Sequence, residues 1–234
     1  MHIFYTPDIL LNLEMPEDES LHCVKVLRLA EGTEVRLVNG KGLFYKARIV
    51  NAHPKRCAVE ILEIIPESTN REFSIEVAMA PTKNLDRIEW FAEKVTEIGI
   101  NKITFLRCRY SERKELKEER VHKILVSAMK QSQKATLPNL DSIVDFTEFV
   151  RRPYRGRKFI AHCYNNQSRL LLTQTYKKGE NALILIGPEG DFSEEEVALA
   201  ISCGFEPISL GNSRLRTETA ALVACHTINL LNEI

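Results

Sequence analysis

Two glycine-bearing loops carry the residue types best suited to chemistry in this 234-residue chain. The first is Gly187-Pro188-Glu189-Gly190-Asp191, entered from the apolar run 183–186 and followed by Ser193 with Glu196 three positions later. Gly187 and Gly190 permit close backbone approach to a ligand, and Ser193 with Glu196 has the spacing of a capping box that opens a helix. Such a loop commonly receives phosphate. Here Glu189 and Asp191 would repel a pyrophosphate at that helix N-terminus, and neither phosphate-loop glycine spacing occurs. A neutral or cationic ligand suits this charge, and S-adenosylmethionine, with a sulfonium, an ammonium and no phosphate, is one of that kind. The alternative is an ordinary strand-to-helix turn whose acidic residues complement the helix dipole.

The second loop, Leu210-Gly211-Asn212-Ser213-Arg214-Leu215-Arg216, leads into a helix expected from about Thr217, with Ala221, Leu222, Cys225, Ile228 and Leu231 on its buried side. Arginine is unfavourable beside a helix N-terminus. Arg214 and Arg216 therefore call for a partner, either Glu218 and Glu189 or an anionic substrate.

Both loops read as the strand-loop-helix joints at which α/β proteins build ligand crevices. The surrounding elements support that class. Residues 73–80 read as a strand buried on both faces, and Asn84 caps a helix that Gly99 stops, with Leu85, Ile88, Ala92 and Val95 inward. Strands follow at 101–106, 158–163 and 181–186, and a helix at 117–133, the alternation of an α/β parallel sheet. Residues 1–70 read instead as a β-rich unit: a strand at 3–5, a helix over 20–29 with Leu21, Val24 and Leu27 on one face, then a meander of 34–38, the turn 39–42, 43–50 and 57–64. The polar segment 66–71 reads as a linker, giving two domains, 1–70 and 71–234.

Basic residues concentrate locally although the chain is neutral, with 32 basic and 32 acidic residues. Zero net charge argues against simple electrostatic binding of nucleic acid, so any RNA site must be a patch. Candidates are Lys41, Lys46, Arg48, Lys55 and Arg56 on the meander, Arg107, Arg109, Arg113 and Lys114 after the strand 101–106, and residues 151–158. A solvated surface is the alternative for each. The six cysteines are scattered and the six histidines form no cluster with them, which predicts reduced thiols and no metal. No membrane span is expected, and the N-terminus lacks the pattern of a signal peptide, so a cytoplasmic protein is expected.

The paired segments 186–195 and 210–220 resemble the signature of the RsmE family, the small-subunit ribosomal RNA (uracil-N3) methyltransferases of the SPOUT superfamily. His22-Cys23-Val24-Lys25-Val26-Leu27-Arg28 is similar to the family's N-terminal His-x-x-x-Val-Leu-Arg element. Lys83 and Lys94-Val95-Thr96-Glu97-Ile98-Gly99 are similar to its lysine and its Lys-x-x-Glu-Leu-Gly element, with Ile98 for Leu. Lys130 and Lys134 depart from the family's usual Glu and Arg.

The resemblance implies an α/β SPOUT fold: a trefoil-knotted parallel sheet with helices on both faces, preceded by a small PUA-like β-barrel domain. It implies S-adenosylmethionine held by Ile186, Gly187, Pro188, Glu189 and Gly190, by Leu210, Gly211, Leu215 and Arg216, and by His162 and Cys163 near the end of the strand 158–163. It further implies a homodimer acting on one uridine of 16S ribosomal RNA in the small subunit, near the decoding centre. Arg216 is expected to stabilise the uracil anion, with Glu218 or Glu189 accepting the proton or orienting that arginine. Arg28, Lys83, Arg107, Arg109 and Arg113 are the expected RNA contacts. Ribose or tRNA methylation within the superfamily, and a non-catalytic RNA-binding assembly factor, are the alternatives.

Overall fold

The computed structural model describes residues 2–68, 71–164 and 169–234, so Thr69 and Asn70 of the linker and Asn165 lie outside the described residues. Two compact units result, one of residues 1–70 with 126–137 and one of residues 71–125 with 138–234.

In the first unit, β1 (Ile3–Tyr5) runs parallel to β2 (Glu34–Val38), and β3 (Leu43–Asn51) and β4 (Ala58–Pro66) continue the sheet antiparallel in the order β1-β2-β3-β4. The turn between β2 and β3 needs left-handed backbone at Gly40 and Gly42, with φ of 78° and 83°. Tyr45, Ala47 and Ile49 alternate inward and join Phe4, Leu37 and Val59 in the core. The helix expected over 20–29 is instead α1 (Glu17–Leu21), running into a π-helical turn, His22–Val26. Pro16 and three acidic residues favour the earlier start. The wider π turn moves the apolar face, so Cys23 is buried and Leu21 is exposed. Arg28 closes the turn at a left-handed φ of 54°, with Leu29 N–H donating to the Cys23 carbonyl, where glycine is the usual residue. Val38 and Phe44 pack with Met129 and Ala135 from the segment 126–137. That segment also supplies Lys130, which pairs with the buried carboxylate of Glu19.

The second unit runs β5 (Ile75–Met79), α2 (Leu85–Ile98), β6 (Lys102–Arg107), α3 (Glu118–Gln131), β7 (Asn139–Asp145), α4 (Phe146–Phe149), β8 (Arg157–Ala161), β9 (Leu170–Leu171), α5 (Leu172–Thr175), β10 (Ala182–Ile186), α6 (Glu194–Ser202), β11 (Glu206–Ser209) and α7 (Thr217–Glu233). The second half of α3 is counted with the first unit. Seven parallel strands form one sheet in the order β7-β6-β5-β10-β8-β11-β9. Asn84 Oδ1 accepts the Asp86 N–H at 3.0 Å, and Gly99 ends α2 at φ 118°. Ala78 and Ala80 face Phe146, Phe149 and Val197 on one side of the sheet. Ile75, Val77 and Met79 alternate to the other, where α2 and α7 pack together and α7 meets β5 and β10. On α7 the buried positions are Thr217, Glu218, Ala221, Ala224, Cys225, Ile228 and Asn229, while Leu222 and Leu231 are half-buried. Strand β8 ends at Ala161, two residues short of the expectation. Among the described residues no helix is long and apolar enough to cross a membrane.

Candidate functional site

The strand order reverses direction around β5, β10 and β8, and a cavity of about 560 Å³ opens beyond the C-terminal ends of β8, β10 and β11. Its size lies in the range of small-molecule sites. Ile186, Gly187, Pro188, Glu189 and Asp191 form one wall, and Ile208 to Thr217, apart from Asn212, form a second. Ala161, His162, Cys163 and Arg169 form a third. Of the residues expected to hold a cofactor, Gly190 alone is off the wall, where a Cβ would make ordinary contact with Tyr110. Gly187 is needed for packing: a Cβ there would meet the Phe192 backbone nitrogen at 3.0 Å.

The Ser193–Glu196 capping box is present in full. Asp191, in a left-handed conformation with φ 67°, accepts the N–H of Phe192 at 2.8 Å and that of Cys163 at 2.7 Å. Glu189 Oε1 accepts the Lys83 N–H at 3.0 Å. These carboxylates therefore tie loops together besides lending charge to the wall, which also carries Arg87, Arg169, Arg214 and Arg216. Thr217 Oγ1 donates to the Gly187 carbonyl at 3.0 Å and fixes the start of α7 against the first loop.

Of the two partners open to Arg214 and Arg216, Glu218 and Glu189 are not met among the described residues, which leaves an anionic substrate. Arg216 is the N-cap residue of α7 and is exposed, with no ion pair among the described residues. Glu218 points instead to Arg87 of α2, with Nε to Oε1 at 3.7 Å, and it does not line the cavity. Sequence reading missed Arg87, Thr217 and Arg169. Only the first-turn position of Arg87, in a helix that must abut the sheet, marks it from sequence.

His162 is 4% exposed. Its Nδ1 accepts the Tyr164 N–H at 3.2 Å, which places the proton of the neutral ring on Nε2. Burial, then Arg169, holds its pKa below the ordinary value, against an upward pull from Asp191. Burial, then Asp191, pushes the Cys163 thiol up, so it is protonated at neutral pH and a poor nucleophile.

The basic candidates are mostly engaged. Arg107 pairs with Asp145 at 3.3 Å and Arg109 with Glu195 at 3.1 Å. Arg113 donates to the carbonyls of Thr82 and Lys83, and Lys83 pairs with Glu112 at 2.8 Å. These pairs are largely exposed and exchangeable. Lys83, Arg113 and Lys114 border a second, open cleft. Within residues 151–158, Arg152 pairs with Glu148, and Arg157, on β8, pairs with Glu180 and Glu206. On the meander, Lys46 and Arg48 are bound to Glu34 and Lys55 to Glu17. Arg28 is exposed in the first unit. No group of three or more metal-ligating side chains occurs among the described residues.

Comparison with known proteins agrees with this architecture. An RNA methyltransferase domain model matches residues 69–229, and an RNA methyltransferase PUA domain model matches residues 16–62. The ribosomal RNA small subunit methyltransferase E of Rickettsia conorii is 27% identical over 94% of this chain and 90% of its own length. A crystal structure of a probable rRNA-methyltransferase from Porphyromonas gingivalis is 40% identical and superposes with a TM-score of 0.94, covering 100% of this chain and 99% of that one. The ribosomal RNA small subunit methyltransferase E of Neisseria gonorrhoeae, solved bound to S-adenosyl methionine, is 27% identical with a TM-score of 0.84 over 99% and 98% of the two chains. The SPOUT-type α/β sheet and the small N-terminal sheet are shared along nearly the whole length. This chain belongs to the RNA methyltransferase family of the ribosomal RNA small subunit methyltransferases E.

Proposed function

We propose that the protein transfers a methyl group from S-adenosylmethionine to N3 of one uridine of 16S ribosomal RNA in the small subunit, near the decoding centre. The observation that carries this reading is the cavity at the ends of β8, β10 and β11, with Arg216, which has no ion pair among the described residues, at its wall. The donor fits the residues present. Ile186, Pro188, Leu210 and Leu215 offer apolar surface for adenine beside loop backbone, and the cavity is large enough for a ligand of this size. When bound, the cofactor supplies a methyl group on a sulfonium, and transfer depends mainly on positioning.

Uracil N3 lies in the Watson-Crick edge, so the base must be unpaired or flipped to react. Arg216 stabilises the negative charge that develops on uracil as N3 loses its proton. Glu189, exposed on the cavity wall, accepts that proton; Glu218, off the wall, orients Arg87. Lys83, Arg107, Arg109 and Arg113 exchange their surface partners for RNA phosphates, and Arg28 of the PUA-like unit is a further RNA contact.

The resemblance further supports a trefoil knot around residues 187–217 and a homodimer in the cytoplasm. Trp90 on α2, Leu230 on α7 and Ile234 just after α7 leave exposed apolar side chains, which supports packing of a second copy there.

Labelled S-adenosylmethionine, incubated with unmodified small subunits and separately with protein-free ribosomal RNA, tests the reading. The expected product is 3-methyluridine, identified by mass spectrometry. Label in a 2′-O-methyl nucleoside or in tRNA would retain the fold and overturn the substrate; cofactor binding without labelled RNA would favour a binding factor.

A further inference from the structure

Arg87 enters the cavity from the first turn of α2. Its partner Glu218 is buried, with a side chain 7% exposed against 34% for the arginine. The second carboxylate oxygen, Oε2, has no hydrogen-bond partner among the described residues. A carboxylate withdrawn from water is costly unless it is well bonded, so a pair at 3.7 Å with one orphaned oxygen is a poor stabilising device. Its effect is directional. Negative charge behind Nε steadies the guanidinium at the wall and leaves its terminal N–H groups for a ligand.

The charge of the cavity points the same way. Four arginines face two carboxylates, and both carboxylates already accept backbone N–H groups. The surplus suits an oxyanion. Arg87 follows closely on the loop 82–84, whose carbonyls hold Arg113 and whose Lys83 borders the second cleft with Lys114. The loop edges the cleft, where Glu112 and Glu115 stand beside Lys83, Arg113 and Lys114, and Arg87 lines the cavity four residues beyond Lys83, so a polyanion that displaces those carboxylates from the cleft meets Arg87 at the cavity.

Resting on the reading under Proposed function, we infer that Arg87 binds a phosphodiester oxygen of the RNA acceptor at the cavity entrance, and that Glu218 is a positioning residue acting through it. Arg87→Ala is expected to lower kcat/KM for small subunits by about 10- to 100-fold, chiefly through KM, as loss of a charged hydrogen bond. Donor Kd, measured by calorimetry, is expected to stay within about threefold because the contact is to the acceptor. Arg87→Lys recovers part of the loss. Glu218→Gln raises KM in the same direction, and adds nothing in the Arg87→Ala background, as coupled residues do.

Equal loss of donor and acceptor binding in Arg87→Ala, or fully additive effects of the two substitutions, would overturn the inference. If the wild-type protein methylates no RNA, the functional reading itself fails. Affinity for subunits in the presence of donor still reports on Arg87 in that case: a drop in Arg87→Ala supports the contact, and an unchanged affinity removes it.

Discussion

Asp191 Oδ2 lies 2.7 Å from the backbone nitrogen of Cys163, joining the loop after β10 to the chain end of β8 across 28 residues of sequence. The same carboxylate holds its own loop through Phe192 N–H, at a left-handed φ that only a few residue types tolerate. One side chain therefore sets the spacing between two walls of the cavity.

Asp191→Ala removes both acceptors while leaving the left-handed backbone to a residue that disfavours it. A loss of about 2–4 kcal/mol is expected in denaturant unfolding, with weakened donor binding. Asp191→Asn, which keeps one acceptor oxygen, is expected to lose less than half as much. Equal stability in all three proteins would show that this contact does not fix the cavity.

Arg216→Ala is expected to reduce kcat by about 10²–10³, the usual effect of removing a group that stabilises developing charge. Donor affinity, measured by calorimetry, should change little. Equal losses in rate and affinity would make Arg216 a structural residue of the pocket.

His162 gives a signed dependence on pH. Burial and Arg169 make the folded protein bind this proton less readily than the unfolded chain, whose ordinary value is 6.5. As pH falls below that value the unfolded state takes up more protons, so stability present at neutral pH is lost as pH falls through the depressed folded value. Urea midpoints at pH 7.5 and 5.5 are expected to differ less in His162→Gln than in the wild type. An identical slope in both would assign the acid sensitivity to other groups.

Lys130→Ala takes the cation from the carboxylate of Glu19, whose side chain is 7% exposed and keeps the Tyr5 N–H, at 3.2 Å, as a donor. Breaking a buried pair from one side costs about 3–5 kcal/mol. The double substitution Glu19→Gln with Lys130→Met is expected to restore most of the lost stability in thermal unfolding; failure to do so would mean that packing, rather than charge, dominates there.

How much of this was legible in the sequence depended on how local each determinant is. Helix α2 was readable from Asn84 to Gly99 because the cap, the apolar spacing and the stop lie within one helix length. The Ser193–Glu196 box is equally local. The π turn at His22–Val26 was not readable, because widening a turn leaves no mark in composition. The loop-tying role of Glu189 and Asp191 was not readable either, since the N–H groups they accept come from Lys83 and Cys163, far away in the chain. The Arg87–Glu218 pair joins residues on two different helices, and nothing near either position announces the other.

The grouping of residues 126–137 with the first unit has a consequence for how the protein is made. A ribosome releases the chain N-terminus first, so Val38 and Phe44 emerge long before Met129 and Ala135 can cover them. The first two strands of the larger sheet leave the exit tunnel in that interval. The small unit thus closes only after its neighbour has begun to form, and a nascent chain halted at residue 70 carries a bare apolar surface open to chaperones and to self-association.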